Sequence, residues 1–557
     1  MIRPLRTVRA YRRFRRYREV LFTLARYGFG DLVDRVVPEG GLWRRFRKES
    51  RASEIPTPAR LRMAFGDLGP TFVKFGQLLS TRPDILPENY LEELEKLQDE
   101  VPPFDFSEVQ KIVREQLGGE PLEIFFEFES EPIASGSIAQ VHRAVLHTGE
   151  TVAVKIQRPR ISQQIETDLE ILEELTALVE RHVPEMRWFR PRDLIAQFAT
   201  TIRREMDFIA EGQAAERFRR NFEADSDYLI PRVFWDYTTT RILTSEIIRG
   251  VKITDKAALD ARGFDRKIIA QNGARAILRE VFEHRFFHAD PHPGNFFVLE
   301  GNVIATVDFG IVGRLDEETA DQLGTMFSAV LRKDISQLLR TSRAMGLLGE
   351  EVDEALLKAD LSEFIENYHG LSLGKIDAER VMRDTLQLLR RHRVLLPVNL
   401  ALVGRMMTHA AGVGRMLDPS FNLFEEARPF VVKFMAGRMD PRKRLNALMA
   451  TLQDYGAVLQ ELPGDLEEIV AKIKRGKMLV SLHHEGLNRF ILEMDRSSNR
   501  LAFSLIIASL IVGSSLVMQL ESGPQIYGLP ALGMGGYIIA GLLGLWLVVA
   551  ILRSGRI

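Results

Sequence analysis

The sequence predicts an α+β protein of two lobes, preceded by a helical extension and followed by two membrane-spanning helices. Three observations favour this class. Residues 141–155 are rich in β-branched residues around a turn and are followed by apolar residues at helical spacing. Residues 317–480 are almost wholly helical in pattern. Two uncharged apolar runs near the C-terminus each have the length of a membrane span.

Composition limits the classes of function. The chain has 557 residues, which is enough for several domains. A net charge of −1 and a pI near 6.9 argue against a nucleic-acid partner, because they give no general basic surface. The absence of cysteine excludes disulfides, thiolate metal sites and cysteine nucleophiles.

Composition shifts and turn residues divide the chain into six predicted segments. They are a basic amphipathic segment (1–55), a helical extension (56–118), an N-lobe (119–247), a C-lobe with helical additions (248–480), a linker (481–500) and a transmembrane hairpin (501–553).

The most informative motif is the sequence His-Ala-Asp-Pro-His-Pro-Gly-Asn at 288–295, followed by Asp-Phe-Gly at 308–310. Phosphoryl transfer from Mg-ATP needs a carboxylate beside the attacking oxygen, and a carboxylate and an amide on the metal. We therefore predict that Asp290 acts as the base or positions the nucleophile, that Asn295 and Asp308 hold Mg²⁺, and that ATP is the nucleotide. The two histidines that flank Asp290 are expected to brace the loop rather than to bind metal.

The residues upstream complete a kinase-like nucleotide site. Lys155 near the end of a predicted strand suits the phosphate-holding lysine, and Glu166 in the next helix is predicted to pair with it. Glu246 and Ile248 lie where a hinge would hold adenine by backbone groups. A loop of small residues is predicted to cradle the phosphates; it comprises Ile133, Ala134, Ser135, Gly136, Ser137, Ile138, Ala139, Gln140 and Val141.

Other features depart from an ordinary protein kinase. There is no Gly-x-Gly-x-x-Gly loop, and no Ala-Pro-Glu follows the Asp-Phe-Gly. Residues 308–315 run almost directly into a predicted helix near Asp316. The segment that docks a peptide substrate is therefore missing, which argues against an ordinary protein substrate.

Several motifs resemble the UbiB/ADCK family of atypical kinase-like proteins. They are Lys74-Phe-Gly76-Gln77, Glu166-Thr-Asp168, and the segments 97–103 and 204–211. The resemblance implies a kinase-like fold that binds Mg-ATP, hydrolyses it slowly and supports ubiquinone biosynthesis. It also implies that the helix carrying Lys74 and Gln77 lies over the active site, that these two residues are regulatory or catalytic, and that Asp168 is regulatory. The family usually has alanine where this chain has Gly136, so Gly136 bears on nucleotide preference.

The residues alone also allow simpler interpretations. The helix with Lys74 and Gln77 could be a packing helix with two incidental polar residues. Glu205, Asp207 and Glu211 are predicted on one helix, either as a solvated acidic face or, by the resemblance, with Glu205 or Glu211 joining the lobes.

The C-terminal runs predict a membrane hairpin. Residues 501–520 carry no charge, and a second apolar run follows the loop 521–530 and reaches residue 552. Arginines flank both outer ends, so both ends are predicted to be cytoplasmic, at a bacterial inner membrane. Gly536, Ala540 and Gly544 form a stripe for close helix contact, and a homodimer through the hairpin is a further prediction.

Eight arginines interleaved with apolar residues fill the first twenty positions. We predict a basic amphipathic helix that binds anionic membrane lipid, in preference to nucleic acid.

The predicted function is Mg-ATP hydrolysis at a membrane, in support of ubiquinone biosynthesis. The partners implied are prenylated phenol or quinone precursors and soluble quinone-biosynthesis enzymes. Two alternatives stay open: a true protein, small-molecule or lipid kinase, and a nucleotide-binding scaffold of a biosynthetic complex.

Overall fold

The structure is a computed structural model, and the chain forms two compact units, Met1–Leu445 and Asn446–Ile557. The residues that it describes are 4–31, 55–82, 85–97, 101–183, 190–289, 292–349, 352–368, 378–394, 396–438, 487–519, 524–526 and 529–553.

The first unit begins with a helical extension. Its first helix packs through Val20 and Leu21, which are fully or almost fully buried. The Arg16 guanidinium donates to both carboxylate oxygens of Asp168, at 2.7 and 3.1 Å, and to the carbonyl of Leu68 at 2.5 Å. The basic segment is thus partly a packed helix. The helices are α1 (Pro4–Leu24), which continues as a π-helical turn (Ala25–Phe29), α2 (Thr57–Leu68), α3 (Pro70–Ser80) and α4 (Glu88–Glu95).

The helix α3 carries the Lys-x-Gly-Gln motif and is fixed by two local features. Gly69 has a φ of 89°, which favours glycine, and Pro70 occupies the first turn of α3. A Cβ atom on Gly76 would lie 2.3 Å from Leu97 Cδ1 and 2.9 Å from a ring carbon of Phe65. Glycine at position 76 therefore permits α3 to approach its neighbours closely.

The N-lobe contains an antiparallel sheet with the strand order β1-β3-β4-β6, and β2 pairs with β3. In β4, Val152, Val154 and Ile156 are fully buried in one hydrophobic cluster. Because side chains alternate along a strand, Lys155 lies on the opposite face. The elements are α5 (Phe106–Leu117), α6 (Pro121–Ile124), β1 (Glu127–Phe128), β2 (Ala134–Ser135), β3 (Ala139–Val145), β4 (Thr151–Gln157) and β6 (Ile242–Glu246), while β5 (Tyr228–Leu229), which precedes β6 in sequence, joins a sheet of the C-lobe.

Three helices, α7 (Ile161–His182), α8 (Pro191–Glu205) and α9 (Phe208–Asn221), connect β4 to β5. The prediction that Glu205, Asp207 and Glu211 share one helix is wrong. The helix α8 ends at Glu205, and Asp207 caps α9 by accepting a hydrogen bond from the backbone N–H of Ile209 at 3.1 Å. An aspartate favours such a cap over an interior helical position.

The C-lobe is built on α11 and two small sheets. One sheet has the order β5-β10-β9-β7, with β5 parallel to β10, and the other pairs β8 with β11. Its elements are β7 (Val251–Lys252), α10 (Lys256–Ala261), α11 (Arg266–Phe282), β8 (Phe286–His288), β9 (Phe296–Leu299), β10 (Val303–Thr306) and β11 (Val312–Arg314).

The region after β11 is helical, as the sequence predicts, over the residues that the structure describes; 439–480 lie outside them. Asp316 caps the first of these helices through the N–H of Thr319 at 2.7 Å. The helices are α12 (Glu317–Leu331), α13 (Ile335–Ala344), α14 (Glu354–Tyr368), α15 (Ala378–Arg391), α16 (Val398–Leu417) and α17 (Leu423–Arg438).

The second unit contains two long helices, α18 (Leu487–Met518) and α19 (Ala531–Arg553), with β12 (Gln525–Ile526) and β13 (Leu529–Pro530) between them. Both helices are long and apolar enough to cross a membrane, over Ser497–Met518 and Ala531–Val548.

The predicted small-residue stripe lies partly inside this hairpin. A Cβ atom on Gly536 would lie 2.1 Å from Ser514 Oγ, and Ala540 is 2% exposed, whereas Gly544 has nothing within 4 Å of such an atom. The close contacts of Gly536 therefore join α18 to α19, and the homodimer stays a prediction.

We expect Gly76→Ala to lower the free energy of unfolding by about 1–3 kcal/mol, because the added methyl group overpacks a rigid site. The matched control is Gly66→Ala in α2, where nothing lies within 4 Å of an added Cβ atom. In the control, alanine should raise helix stability by up to about 1 kcal/mol. Denaturation of both variants checks this, and equal effects would contradict the packing role of Gly76.

We expect Arg16→Ala to destabilise the first unit by on the order of 3 kcal/mol, because it leaves the buried Asp168 carboxylate without its cation. Arg15→Ala, which removes an exposed arginine from the same helix, is the control and should change stability little. If the two melting temperatures fall equally, the Arg16–Asp168 pair does not hold α1 in place.

Candidate functional site

The lysine of β4 forms the central ion pair of the cleft. Lys155 Nζ donates to Glu211 Oε1 at 2.7 Å and to Oε2 at 2.9 Å. The Glu211 side chain is only 3% exposed, and that of Lys155 is 24% exposed. Burial opposes the lysine charge, but Asp308 and Glu211 outweigh it and raise the pKa of Lys155 above its ordinary value. The ammonium group is therefore charged and held in a fixed position.

The prediction that Glu166 pairs with Lys155 is wrong. Glu166 instead accepts two hydrogen bonds from the Arg203 guanidinium, both at 2.8 Å, at the surface between α7 and α8. The physical reason is the break after Glu205, which directs α9 under the sheet and brings Glu211 to Lys155. The segment 204–211 already carried this signal, since the resemblance offered Glu205 or Glu211 as the residue that joins the lobes.

Asp308 of the Asp-Phe-Gly motif lies next to this pair. Its Oδ1 is 4.0 Å from Lys155 Nζ and accepts a hydrogen bond from the Gly310 N–H at 2.9 Å. Burial alone would raise the pKa of Asp308. The charge of Lys155 outweighs it, with help from the Gly310 N–H, His288 and Lys74, and the pKa falls to about 2. Asp308 is thus ionised, and its side chain is 46% exposed to the cleft.

The predicted amide ligand lies at the same end of the β9–β10 hairpin. The backbone N–H of Val307 donates to the carbonyl of Asn295 at 3.2 Å, which joins the residue before Asp308 to Asn295. The 3₁₀ turn Pro293–Asn295 is capped by His292, whose Nδ1 accepts from the Gly294 N–H at 3.1 Å. This contact agrees with a bracing role for His292. Asp290 lies outside the described residues, so its role stays a prediction.

The donor set fits Mg²⁺ bound together with a nucleotide. Mg²⁺ prefers oxygen ligands and usually takes only one or two carboxylates, completing its shell with water and phosphate oxygens. Asp308 and Asn295 supply one carboxylate and one amide. No group of three or more His, Cys, Asp or Glu side chains that could hold a metal occurs among the described residues.

Hydrogen bonds from an arginine that the sequence analysis did not identify hold the predicted phosphate loop. Arg158 donates to the carbonyl of Gly136 at 2.7 Å and to Ser135 Oγ at 2.9 Å. Ile133 and Ala134 are exposed at the start of the loop. The loop is therefore held as a tight turn with its first residues accessible.

The second half of the loop is buried, and its polar side chains differ. Gln140 Oε1 accepts from the Phe104 N–H at 3.0 Å, and Gln140 Nε2 lies 2.9 Å from His142 Nε2. The Gln140 side chain is thus committed to the protein. Ser137 Oγ is buried and has no hydrogen-bond partner within the described part of the chain.

The remaining loop residues divide between core and cleft. Ile138 and Ala139 are buried at 5% and 6% exposure. Val141 lies directly opposite Lys155 in the β3–β4 pair. Cross-strand partners point to the same face, so Val141 and Lys155 face the cleft together.

Of the two residues predicted to hold adenine through their backbone groups, Glu246 has its N–H group already bonded within the protein. The backbone N–H of Glu246 donates to the carbonyl of Arg232 at 2.8 Å and is therefore not available to a base. The Glu246 side chain lines a separate cleft of about 1000 Å³ together with Arg232, Arg249 and Tyr228. Ile248 is half-buried just after β6.

The Lys-x-Gly-Gln helix reaches the cleft around Lys155 and Asp308. Lys74 Nζ is 2.6 Å from Glu205 Oε1, and the two side chains are 11% and 13% exposed. A Cβ atom on Gly310 would lie 3.4 Å from Glu205 Cγ, so Glu205 also touches the Asp-Phe-Gly segment. Gln77 Nε2 donates to the carbonyl of Leu97 at 3.3 Å. Lys74 is therefore not an incidental surface residue.

Asp168 of the Glu-x-Asp motif is bonded to side chains of two other helices. It is fully buried, and besides Arg16 it accepts a hydrogen bond from Thr71 Oγ1 at 2.7 Å. It thus joins α1, α3 and α7, and a regulatory role for it stays a prediction. Arg16 is a residue that sequence reasoning missed, since it is one of eight similar arginines.

The sequence matches three family models. They are described as the ABC1 atypical kinase-like domain (residues 96–342), the UbiB helical domain (361–422) and the ABC1/UbiB kinase-like C-terminal domain (485–553).

Curated relatives match over most of the chain. An uncharacterized protein in the hydrogenase 1 5′ region of Clostridium pasteurianum is 31% identical over 97% of this chain and 99% of its own length. A probable protein kinase UbiB of Pseudomonas fluorescens is 36% identical over 78% of this chain and 81% of its own length.

Among solved structures, a Mycobacterium tuberculosis protein in complex with erythromycin has a TM-score of 0.42 at 24% identity, covering 62% of this chain and 87% of that one. The resemblance noted from the sequence motifs is confirmed by the family models and the curated relatives. With its kinase-like fold, the chain belongs to the ABC1/UbiB family of atypical kinase-like proteins.

Proposed function

We propose that this chain binds Mg-ATP in the cleft around Lys155 and hydrolyses it at a membrane, in support of isoprenoid quinone biosynthesis. One observation carries the nucleotide part of this proposal: the Lys155–Glu211 ion pair lies 4.0 Å from an ionised Asp308. Membership of the family supports the biosynthetic part.

Each side chain then has a defined task. Lys155 donates to the α- and β-phosphates, and Glu211 fixes the direction of the ammonium group. Asp308 and Asn295 would hold Mg²⁺, which neutralises phosphate charge when it is bound. Asp290 accepts a proton from the attacking water or positions it.

The residues around Lys74 favour water over a peptide as the phosphate acceptor. The Lys74–Glu205 ion pair and the contact of Glu205 with the Asp-Phe-Gly segment put α3 beside the reacting groups. In addition, α12 begins at Glu317, only nine positions after Asp308, which leaves little chain between the two for docking a peptide. A true kinase for a protein, small molecule or lipid is the alternative, and a nucleotide-binding scaffold is the second.

The membrane part of the proposal rests on the two apolar helices of the second unit. We propose that they anchor the chain in the bacterial inner membrane with the kinase-like domain on the cytoplasmic side. The exposed Arg12, Arg15 and Arg18 of α1, beside exposed Tyr11 and Phe14, support binding to anionic lipid. Prenylated phenols are the proposed lipid-soluble substrates, made available to soluble biosynthetic enzymes.

The experiment that tests this function follows the γ-phosphate of Mg-ATP. The full-length protein is placed in phosphatidylglycerol liposomes with and without a prenylphenol, and Asp308→Asn is the control. We expect free phosphate to rise with membrane and phenol, and to fall at least about 100-fold in the variant. Label retained on protein or lipid would indicate a kinase. Nucleotide binding without turnover would indicate a scaffold.

Deletion of residues 501–553 tests the membrane part in cells. We expect quinone production to fall, because the protein no longer reaches its lipid-soluble substrate. Quinone levels unchanged by the deletion, at equal protein abundance, would contradict a role at the membrane.

We expect Glu211→Gln to lower turnover by about 100-fold, since the amide lacks the negative charge and one of the two acceptor oxygens that hold the ammonium group, and a displacement of about 1 Å has such an effect. Glu166→Gln is the matched control, because Glu166 pairs with Arg203 at the surface. Its turnover should stay within about threefold of wild type, in line with a weak surface pair. Steady-state kinetics decide, and the reverse order of effects would contradict the assignment of Glu211.

A further inference from the structure

A buried carboxyl group contacts the strand β8, which precedes Asp290 in the sequence. Glu280 of α11 is 1% exposed, and its Oε2 accepts a hydrogen bond from the backbone N–H of His288 at 2.8 Å. His288 is the last residue of β8 and precedes Asp290 by two positions. The contact thus fixes the backbone at the point where the loop begins.

The other oxygen of Glu280 belongs to a small buried network. Glu280 Oε1 lies 3.3 Å from the Tyr228 hydroxyl oxygen, which shares a 2.6 Å hydrogen bond with Thr306 Oγ1. Tyr228 and Thr306 are 6% and 0% exposed. Thr306 ends β10 and precedes Asp308 by two positions. One carboxyl group therefore connects the strands that lead to Asp290 and to Asp308.

We propose that Glu280 is a positioning residue, whose neutral carboxyl group holds these two strand ends in the arrangement that phosphoryl transfer requires. The inference rests on the proposed function for its catalytic meaning, while the contact itself can be tested separately.

The neutral form follows from the surroundings of Glu280. The titratable groups that face it are Tyr228 of β5 and His288 of β8, and among the described residues no lysine or arginine pairs with it. An ionised carboxylate is costly to bury without a cation. Burial accordingly raises the pKa of Glu280 to about 8, against the opposing hydrogen bonds of His288 and Tyr228.

The position needs an acceptor for the His288 N–H rather than a negative charge. In Glu280→Gln the amide oxygen can accept from His288 while the amide N–H₂ donates to Tyr228, as a neutral carboxyl group would. In Glu280→Met the side chain keeps its size but leaves the His288 N–H without a partner. A buried N–H that loses its partner costs enough free energy to change a local equilibrium by about 10-fold or more.

The decisive experiment compares Glu280→Gln and Glu280→Met in the full-length protein by hydrogen exchange and by steady-state turnover. We expect Glu280→Met to speed amide exchange at 286–289 by at least about 10-fold. Its kcat should fall by a similar factor, with little change in the KM for ATP. Glu280→Gln should match wild type in both measurements. The control Glu283→Met removes a carboxylate that pairs at the surface with Arg279 and Lys433, and it should leave exchange at 286–289 unchanged.

The pH dependence of stability is a readout that does not require turnover. Because the folded-state pKa of Glu280 is raised to about 8, the wild-type protein should lose stability relative to Glu280→Gln as the pH rises from about 4.5 to 8. The difference in melting temperature between the two proteins should level off above that range.

Each outcome decides a distinct point. Wild-type exchange in Glu280→Met would overturn the inference, and so would a loss in Glu280→Gln equal to that in Glu280→Met. Absence of turnover in the wild-type protein would instead contradict the proposed function. In that case the exchange and pH results would still decide whether Glu280 is neutral and whether it holds the end of β8.

Discussion

The ion pair between Lys155 and Glu211 is the interaction on which the arrangement of the cleft depends. Side chains alternate between the two faces of β4, so Lys155 points away from the hydrophobic cluster of Val152 and its neighbours. Its ammonium group therefore lies in a largely enclosed space. A charge in such a space needs a partner, because the cost of removing it from water otherwise destabilises the fold. Glu211 supplies that partner, and Asp308 stays ionised because the same ammonium group is 4.0 Å away.

The helix break after Glu205 converts this pair into a larger cluster. It separates two glutamates, so that Glu205 meets Lys74 of α3 while Glu211 meets Lys155. Together with Asp308, three carboxylates face two ammonium groups, and the net charge of −1 is complementary to a bound cation. The N-terminal extension is thereby bound electrostatically to the Asp-Phe-Gly segment, in addition to its apolar packing.

Much of this could be predicted from the sequence, and the exceptions have physical causes. The strand carrying Lys155, the Pro70 start of α3 and the two apolar C-terminal helices follow from local patterns, and the structure agrees with them. The prediction of Glu166 as the partner of Lys155 was wrong because Glu166 and Glu211 both lie on helices after β4, and the residue pattern does not show that α8 ends at Glu205 and that Asp207 caps a new helix. Arg158 and Arg16 were missed because their roles depend on contacts distant in sequence, such as that of Arg16 with Asp168.

The central claim is that Lys155, Glu211 and Asp308 form one nucleotide site, and a structure of the full-length protein with Mg²⁺ and a nonhydrolysable ATP analogue tests it most directly. Our account predicts that Lys155 contacts phosphate oxygens while it stays bonded to Glu211, and that Asp308 and Asn295 contact the metal. A nucleotide bound away from Lys155, or a Lys155 that exchanges Glu211 for Glu166, would contradict the account.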